Sequence, residues 1–246
     1  MAETWDHVPN KAMFIGKHRP KGLEQPCCLA CNSGSRWFED IVSFFGSVRL
    51  YGADDDHFEQ KLKQLRNNHY DAFLEMLPSP STNKVRRLYA GLTGEDLGML
   101  SVDGPIVSKA LSLYGAKLGL ALHAECTGET LSSIGKVGVY VFTNKNMIEE
   151  DVPKQLFELL PDIRTLSQGQ KNVGDQFKYS SRRTIEDGTS AHWVLFGTSL
   201  GYQLFVSENL TMSAIPAKSV FRPGCLTTPK PWAIGMGPFD VPTEPG

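Results

Sequence analysis

Behind the run Pro26-Cys27-Cys28-Leu29-Ala30-Cys31-Asn32, large apolar side chains return at spacings of three and four: Trp37, Phe38, Ile41, Val42, Phe44, Phe45 and Val48. That period places them on one side of an amphipathic α-helix spanning 32–48, packed by its apolar face. The stretch before it, residues 6–28, holds Asp6-His7-Val8-Pro9, a basic Gly-containing loop and Leu23-Glu24-Gln25-Pro26-Cys27-Cys28. It reads as two short extended segments around a loop, so the expected order is strand, strand, helix. The helical spacing of Trp37, Phe38, Phe44 and Phe45 points to core packing rather than to stacking on nucleic-acid bases.

Downstream, Asp54–Asp56 can accept the free amides that open a second helix, with Phe58, Leu62, Leu65, Phe73 and Leu77 along one face to about residue 77. Pro78-Ser79-Pro80-Ser81 stops it and marks a boundary. Lys84, Arg86 and Arg87 just beyond read as a solvated basic group. Pro105 opens a third helix, with Val107, Leu111, Tyr114, Leu118 and Leu122 on a shared face, ending before Gly128. Strands are expected at Val137–Thr143, Gln176–Ser180, Ala191–Phe196 and Tyr202–Ser207, which are rich in β-branched or aromatic residues. A short helix is expected from Asp151 to Leu160. The fold class is therefore α+β: a ββα unit over 1–50, a connecting helix and linker over 51–81, a helix-plus-antiparallel-sheet region over 82–213, and a Pro/Gly-rich extended tail over 214–246.

The net charge of −2 provides no global attraction to phosphate, so any nucleic-acid surface must be local. The candidate is the basic stretch Lys11, Lys17, His18, Arg19 and Lys21. No apolar run approaches the roughly 20 residues needed to cross a bilayer. The start Met-Ala-Glu-Thr-Trp-Asp has neither the cationic opening nor the apolar core of a signal peptide, so a cytoplasmic location without membrane association is expected. Of five cysteines, Cys27, Cys28 and Cys31 cluster while Cys126 and Cys225 stand alone, which in a reducing compartment suggests metal or packing rather than a disulfide framework.

Asp6-His7 followed by Cys28-Leu29-Ala30-Cys31-Asn32 is the combination that carries chemistry. A Cys-x-x-Cys knuckle offers two thiolates from one tight turn to a tetrahedral Zn²⁺, and would hold the start of the helix against the strand bearing His7. These residues, with Pro9 and Pro20-Lys21-Gly22, resemble a bacterial and phage group of HNH-type endonucleases built on a ββα-metal module. The resemblance extends more weakly over Lys109–Asn144 and Phe177–Val206.

The resemblance implies His7 as general base toward the attacking water, a role that suits a side chain titrating near neutrality. It implies Asp6 and Asn32 as ligands of one Mg²⁺ or Mn²⁺ acting as Lewis acid on a DNA phosphodiester. It also implies Cys28 and Cys31 as structural zinc ligands. From the basic stretch, Lys17, His18, Arg19 and Lys21 are the candidate DNA contacts, and on the endonuclease reading the C-terminal region sets the choice of target or protein partner. The sequence departs from the pattern in three places. No second Cys-x-x-Cys precedes Asp6, Asn10 replaces a second proline, and Lys21 or Gly22 stands where the family has its middle Asn. Zinc then needs a further ligand such as Cys27, His57, His69 or Cys126, or has been lost, leaving Cys28 and Cys31 to pack. Two functions stay open: an HNH endonuclease or nickase, and a catalytically silent binding or regulatory protein that keeps the module as a knuckle. His57, His69, His123 and His192 match no ligand spacing and are given no role.

Overall fold

The computed structural model describes residues 3–48, 55–77, 100–144, 146, 160, 162–168, 171–184, 188–209 and 219–229. The expected boundary at 78–81, the basic group Lys84, Arg86 and Arg87, the helix from Asp151 and most of the tail lie outside them.

The chain opens with β1 (Thr4–His7) and β2 (Glu24–Cys27), paired antiparallel with Asp6 opposite Gln25 and His7 opposite Glu24. Helix α1 (Leu29–Phe45) follows directly, three residues earlier than its apolar period suggested. Its N-cap is Cys28, whose sulfur accepts the Cys31 amide at 3.2 Å. The thiol thereby satisfies one of the orphan amides of the first turn. Phe38, Ile41 and Val42 on α1 are fully buried, and each such side chain contributes about 1.5–3 kcal/mol when withdrawn from water.

The expected second helix is two: α2 (Asp55–Asn68) and α3 (Tyr70–Met76), separated at His69, whose φ of −141° and ψ of 53° leave the helical region. Helix α4 (Pro105–Thr127) begins and ends where the sequence indicated, with Pro105 in its first turn and Gly128 left-handed (φ 79°) at its C-cap. Its free N-terminal amides are met by Glu75 of α3, whose carboxylate accepts from Ile106 at 2.9 Å and Val107 at 3.0 Å.

Helix α4 lies across a five-stranded antiparallel sheet in the order β6-β7-β8-β3-β9. The strands are β3 (Lys136–Thr143), β6 (Lys178–Arg183), β7 (Ser190–Phe196), β8 (Leu200–Ser207) and β9 (Val220–Phe221). A small separate hairpin pairs β4 (Ser167–Gln168) with β5 (Lys171–Asn172). Gly115 and Gly119 allow the close approach of helix to sheet. A Cβ at Gly115 would lie 2.5 Å from Val139 Cγ1, and one at Gly119 2.7 Å from Val137 Cγ1.

The expected single apolar face of α4 is an underestimate. Leu113, Ala116, Lys117 and His123 are buried as well as Val107, Leu111, Tyr114, Leu118 and Leu122, because α1 covers the side turned away from the sheet. A helix covered on both sides must be apolar nearly all round. One apolar core joins Phe14 and Phe38 of the N-terminal stretch to Tyr114, Phe177, Phe196 and Tyr202 of the remainder.

The region expected to be an extended tail contributes structure too. Strand β9 pairs with β3, and a 3₁₀ turn at Pro223–Thr227 packs on α1, where Trp37 Nε1 donates to the Thr228 carbonyl at 3.1 Å. Among the described residues no helix is long and apolar enough to cross a membrane.

Candidate functional site

Successive side chains of a strand point to opposite faces, and in β1 this separates the two residues of the Asp6-His7 pair. Asp6 faces inward, at 7% exposure, as does Gln25 opposite it, whose amide reaches the Ala121 carbonyl of α4. The partner of Asp6 is Lys117 of α4, with Nζ 2.5 Å from Oδ2. The same ammonium pairs with Glu39 of α1 and donates to Ser35 Oγ at 2.9 Å. Glu39 in turn accepts from Ser35 Oγ at 2.8 Å and from Asn10 Nδ2 at 3.0 Å. Burial works against the Lys117 charge, but Glu39 and Asp6 outweigh it and hold its pKa above the ordinary lysine value.

His7 lies on the outer face. Its side chain is one-third exposed and its Nδ1 stands 3.5 Å from Glu24 Oε1, too long for a hydrogen bond. Partial burial, then Arg19 and Lys11, lower its pKa, so the imidazole is neutral at pH 7 and able to accept a proton. Asn32, in the first turn of α1, donates from Nδ2 to Thr4 Oγ1 at 3.4 Å. Asp6, His7 and Asn32 thus have three different partners: an ammonium, a carboxylate and a hydroxyl. Among the described residues no group of three or more His, Cys, Asp and Glu side chains is placed to share a metal ion. Asp6 and Asn32, the expected ligands of Mg²⁺ or Mn²⁺, are thus each engaged with another side chain.

The cysteines do come together at the start of α1. Burial, and then the neighbouring Cys28, push the Cys31 thiol up to about 12, whereas hydrogen bonds from Cys31 lower Cys28. Burial also raises Cys27. Two of the three thiols therefore favour the protonated form, as small packed side chains do.

The basic loop divides likewise. Lys11, Lys17, His18 and Lys21 are exposed. Arg19 is not available to phosphate: its side chain is 1% exposed. Its guanidinium donates to the carbonyls of Pro9 at 2.6 Å, Pro20 at 3.0 Å, Val8 at 3.2 Å and Gly22 at 2.5 Å. A five-donor fork is suited to closing a loop on itself in this way, and one basic residue within a run of them gives no sign of doing so.

Reading along the chain does not single out Lys117, Glu39 or Ser35. Their roles exist only across elements, although a lysine inside an otherwise apolar helical run was a usable signal. Nor does it join His123 and His192. Ser181 Oγ, His192, Ser190 Oγ and His123 form a chain with 2.8 Å between each neighbouring pair, and Ser190, His192 and His123 are buried. Burial, and then His123, drive the His192 pKa down to about 3. Burial lowers His123 as well. Compared with protein-family models, with curated proteins and with solved structures, the chain finds no match.

Proposed function

We propose that this chain is a catalytically silent binding or regulatory protein of HNH-type ancestry, its ββα unit kept as a structural knuckle, with DNA as the partner of the exposed lysines at 11, 17 and 21. The observation that carries this reading is the Lys117 ammonium 2.5 Å from the Asp6 carboxylate. A carboxylate held by a buried ammonium is not free to hold a divalent ion, and the Lewis-acid step of phosphodiester hydrolysis depends on such an ion. Zinc has no part in this reading, with Cys28 and Cys31 acting through the cap and the packing of α1.

One observation favours the endonuclease reading. His7 is partly exposed and neutral, which suits a general base. A plasmid assay separates the two. Supercoiled DNA incubated with the protein in Mg²⁺ or Mn²⁺ stays supercoiled on the silent reading, for the intact chain and for His7→Ala alike. Metal-dependent nicking by the intact chain, lost in His7→Ala, overturns it. The DNA arm is a band-shift titration. Binding is expected to fall steeply with salt, and Lys17→Glu with Lys21→Glu to weaken it by about tenfold or more. Binding untouched by these reversals removes the basic loop from the interface.

A further inference from the structure

Three thiols meet where β2 runs into α1: Cys27 ends the strand, Cys28 caps the helix, and Cys31, one turn on, has its thiol within hydrogen-bond reach of both. The Cys28 sulfur accepts the Cys31 amide at 3.2 Å. The Ala30 amide and the Cys31 thiol donate to it as well. Donors gathered on one sulfur at the start of a helix favour its thiolate, the nucleophilic form of cysteine.

Exposure divides the pair in a way that capping does not require. Cys28 is half-buried between exposed Pro26 and exposed Leu29 and Ala30, and its sulfur is open to solvent. Cys31 packs against the apolar core. The inner thiol therefore stands behind the outer one, where a second thiol must be to displace whatever the first has captured. One helical turn separates the two residues, a span within the reach of a disulfide. Cys27 is the rival, but burial and then the Asp6 carboxylate disfavour its thiolate.

We propose that Cys28 and Cys31 form a redox-active dithiol, in which Cys28 attacks small disulfides and Cys31 resolves the product into a Cys28–Cys31 disulfide. The Cys28 thiolate attacks one sulfur of R–S–S–R, forming Cys28–S–S–R and expelling R–S⁻, which takes up the proton that Cys28 released. The Cys31 sulfur then attacks the Cys28 sulfur and expels the second R–S⁻, to which the Cys31 proton passes. The protein thiols are oxidised by two electrons, and the external disulfide is reduced to two thiols. Trp5, opposite Pro26 in the β1–β2 ladder, and Leu29 are both exposed, and supply an apolar rim for the R groups. The inference goes beyond the silent reading, which concerns phosphodiester hydrolysis.

The test incubates the reduced full-length protein with hydroxyethyl disulfide and follows it by intact mass and peptide mapping. The expected product has lost two hydrogens, carries no lasting adduct and is bridged between Cys28 and Cys31. Cys31→Ala is expected to stop at the mercaptoethanol adduct on Cys28, and Cys31→Ser serves the same purpose if the alanine variant does not fold. Cys28→Ser keeps a good N-cap and is expected to slow the reaction at least about tenfold. Cys27→Ser is expected to leave the rate unchanged.

A lasting adduct on the intact chain, a bridge mapped to Cys27, or a Cys28→Ser variant that reacts as fast as the parent overturns the inference. So does exchange that begins only after a chelator is added, since the two thiols would then belong to a metal. None of these outcomes touches the silent reading, which falls only through nicking of plasmid.

Discussion

Helix α4 buries a lysine and a histidine less than two turns apart, and the protein handles them in opposite ways. Lys117 stays charged because Asp6 and Glu39 hold opposite charge against it. His123, about 9 Å further along a helix that rises 1.5 Å per residue, shares Ser190 with His192 and, among the described residues, hydrogen-bonds to that hydroxyl rather than to a carboxylate. In that second cluster the charge is given up. Desolvation sets the terms for both, since an ion without a counter-ion in the interior costs several kcal/mol, and a group lacking one shifts its pKa and becomes neutral. The lesson is that burial alone does not decide a protonation state; the partners brought by other elements do.

The comparison breaks most severely at the charged end. Lys117→Met leaves Asp6 and Glu39 facing one another without their cation, and a loss of about 3–5 kcal/mol is expected, measured by urea unfolding at neutral pH. The loss should shrink toward acid, where protonation of a carboxylate removes the repulsion. A variant as stable as the parent at pH 7 would mean that the cluster contributes nothing to folding.

At the neutral end the sign is reversed, and the window follows from the shift itself. The unfolded chain protonates His192 below about 6.5, whereas the native state resists until about 3. Between those values the unfolded state binds more protons, so stability falls as the pH drops and is fully present above 6.5. The change is expected to be on the order of 4 kcal/mol across the window. Unfolding curves at stepped pH for the intact chain and His192→Gln test this. The variant should lose most of the acid sensitivity, and an unchanged slope would place the source elsewhere.

The smallest effect sharpens the same contrast. Ser190→Ala removes the hydroxyl that both imidazoles share and leaves their facing nitrogens without a partner, at a cost of about 1–2 kcal/mol. Because no ion pair is broken, that cost should be insensitive to salt, which a titration in NaCl measures directly.

How much of this was legible differs between the fold and the site. The period of Trp37 to Val48 gave α1, although its start was displaced by the sulfur cap at Cys28. The strand expectations at 137–143, 191–196 and 202–207 fall inside β3, β7 and β8, while the one at 176–180 ran slightly early against β6. Those elements announce themselves because the rules are local. The 3₁₀ turn at Pro223–Thr227 does not, since it answers to α1 far away in the chain, and neither does the inward turn of Arg19, which depends on the path its own loop takes around the guanidinium. For the candidate site, Asp6, His7, Cys28, Cys31 and Asn32 were visible as a motif. That Asp6 would meet a lysine 111 positions later was not.

What the residues determined unaided was the set of elements and their order: two short strands, a capped amphipathic helix, a long apolar helix and an antiparallel sheet. Periodicity, capping and turn chemistry act within a few residues, so they survive being read in one dimension. What only the tertiary structure decided was the company each polar side chain keeps. Coulombic and hydrogen-bond energies depend on separation in space, and the packing of α4 between β1, α1 and the sheet, which sets those separations, is a property of the whole core.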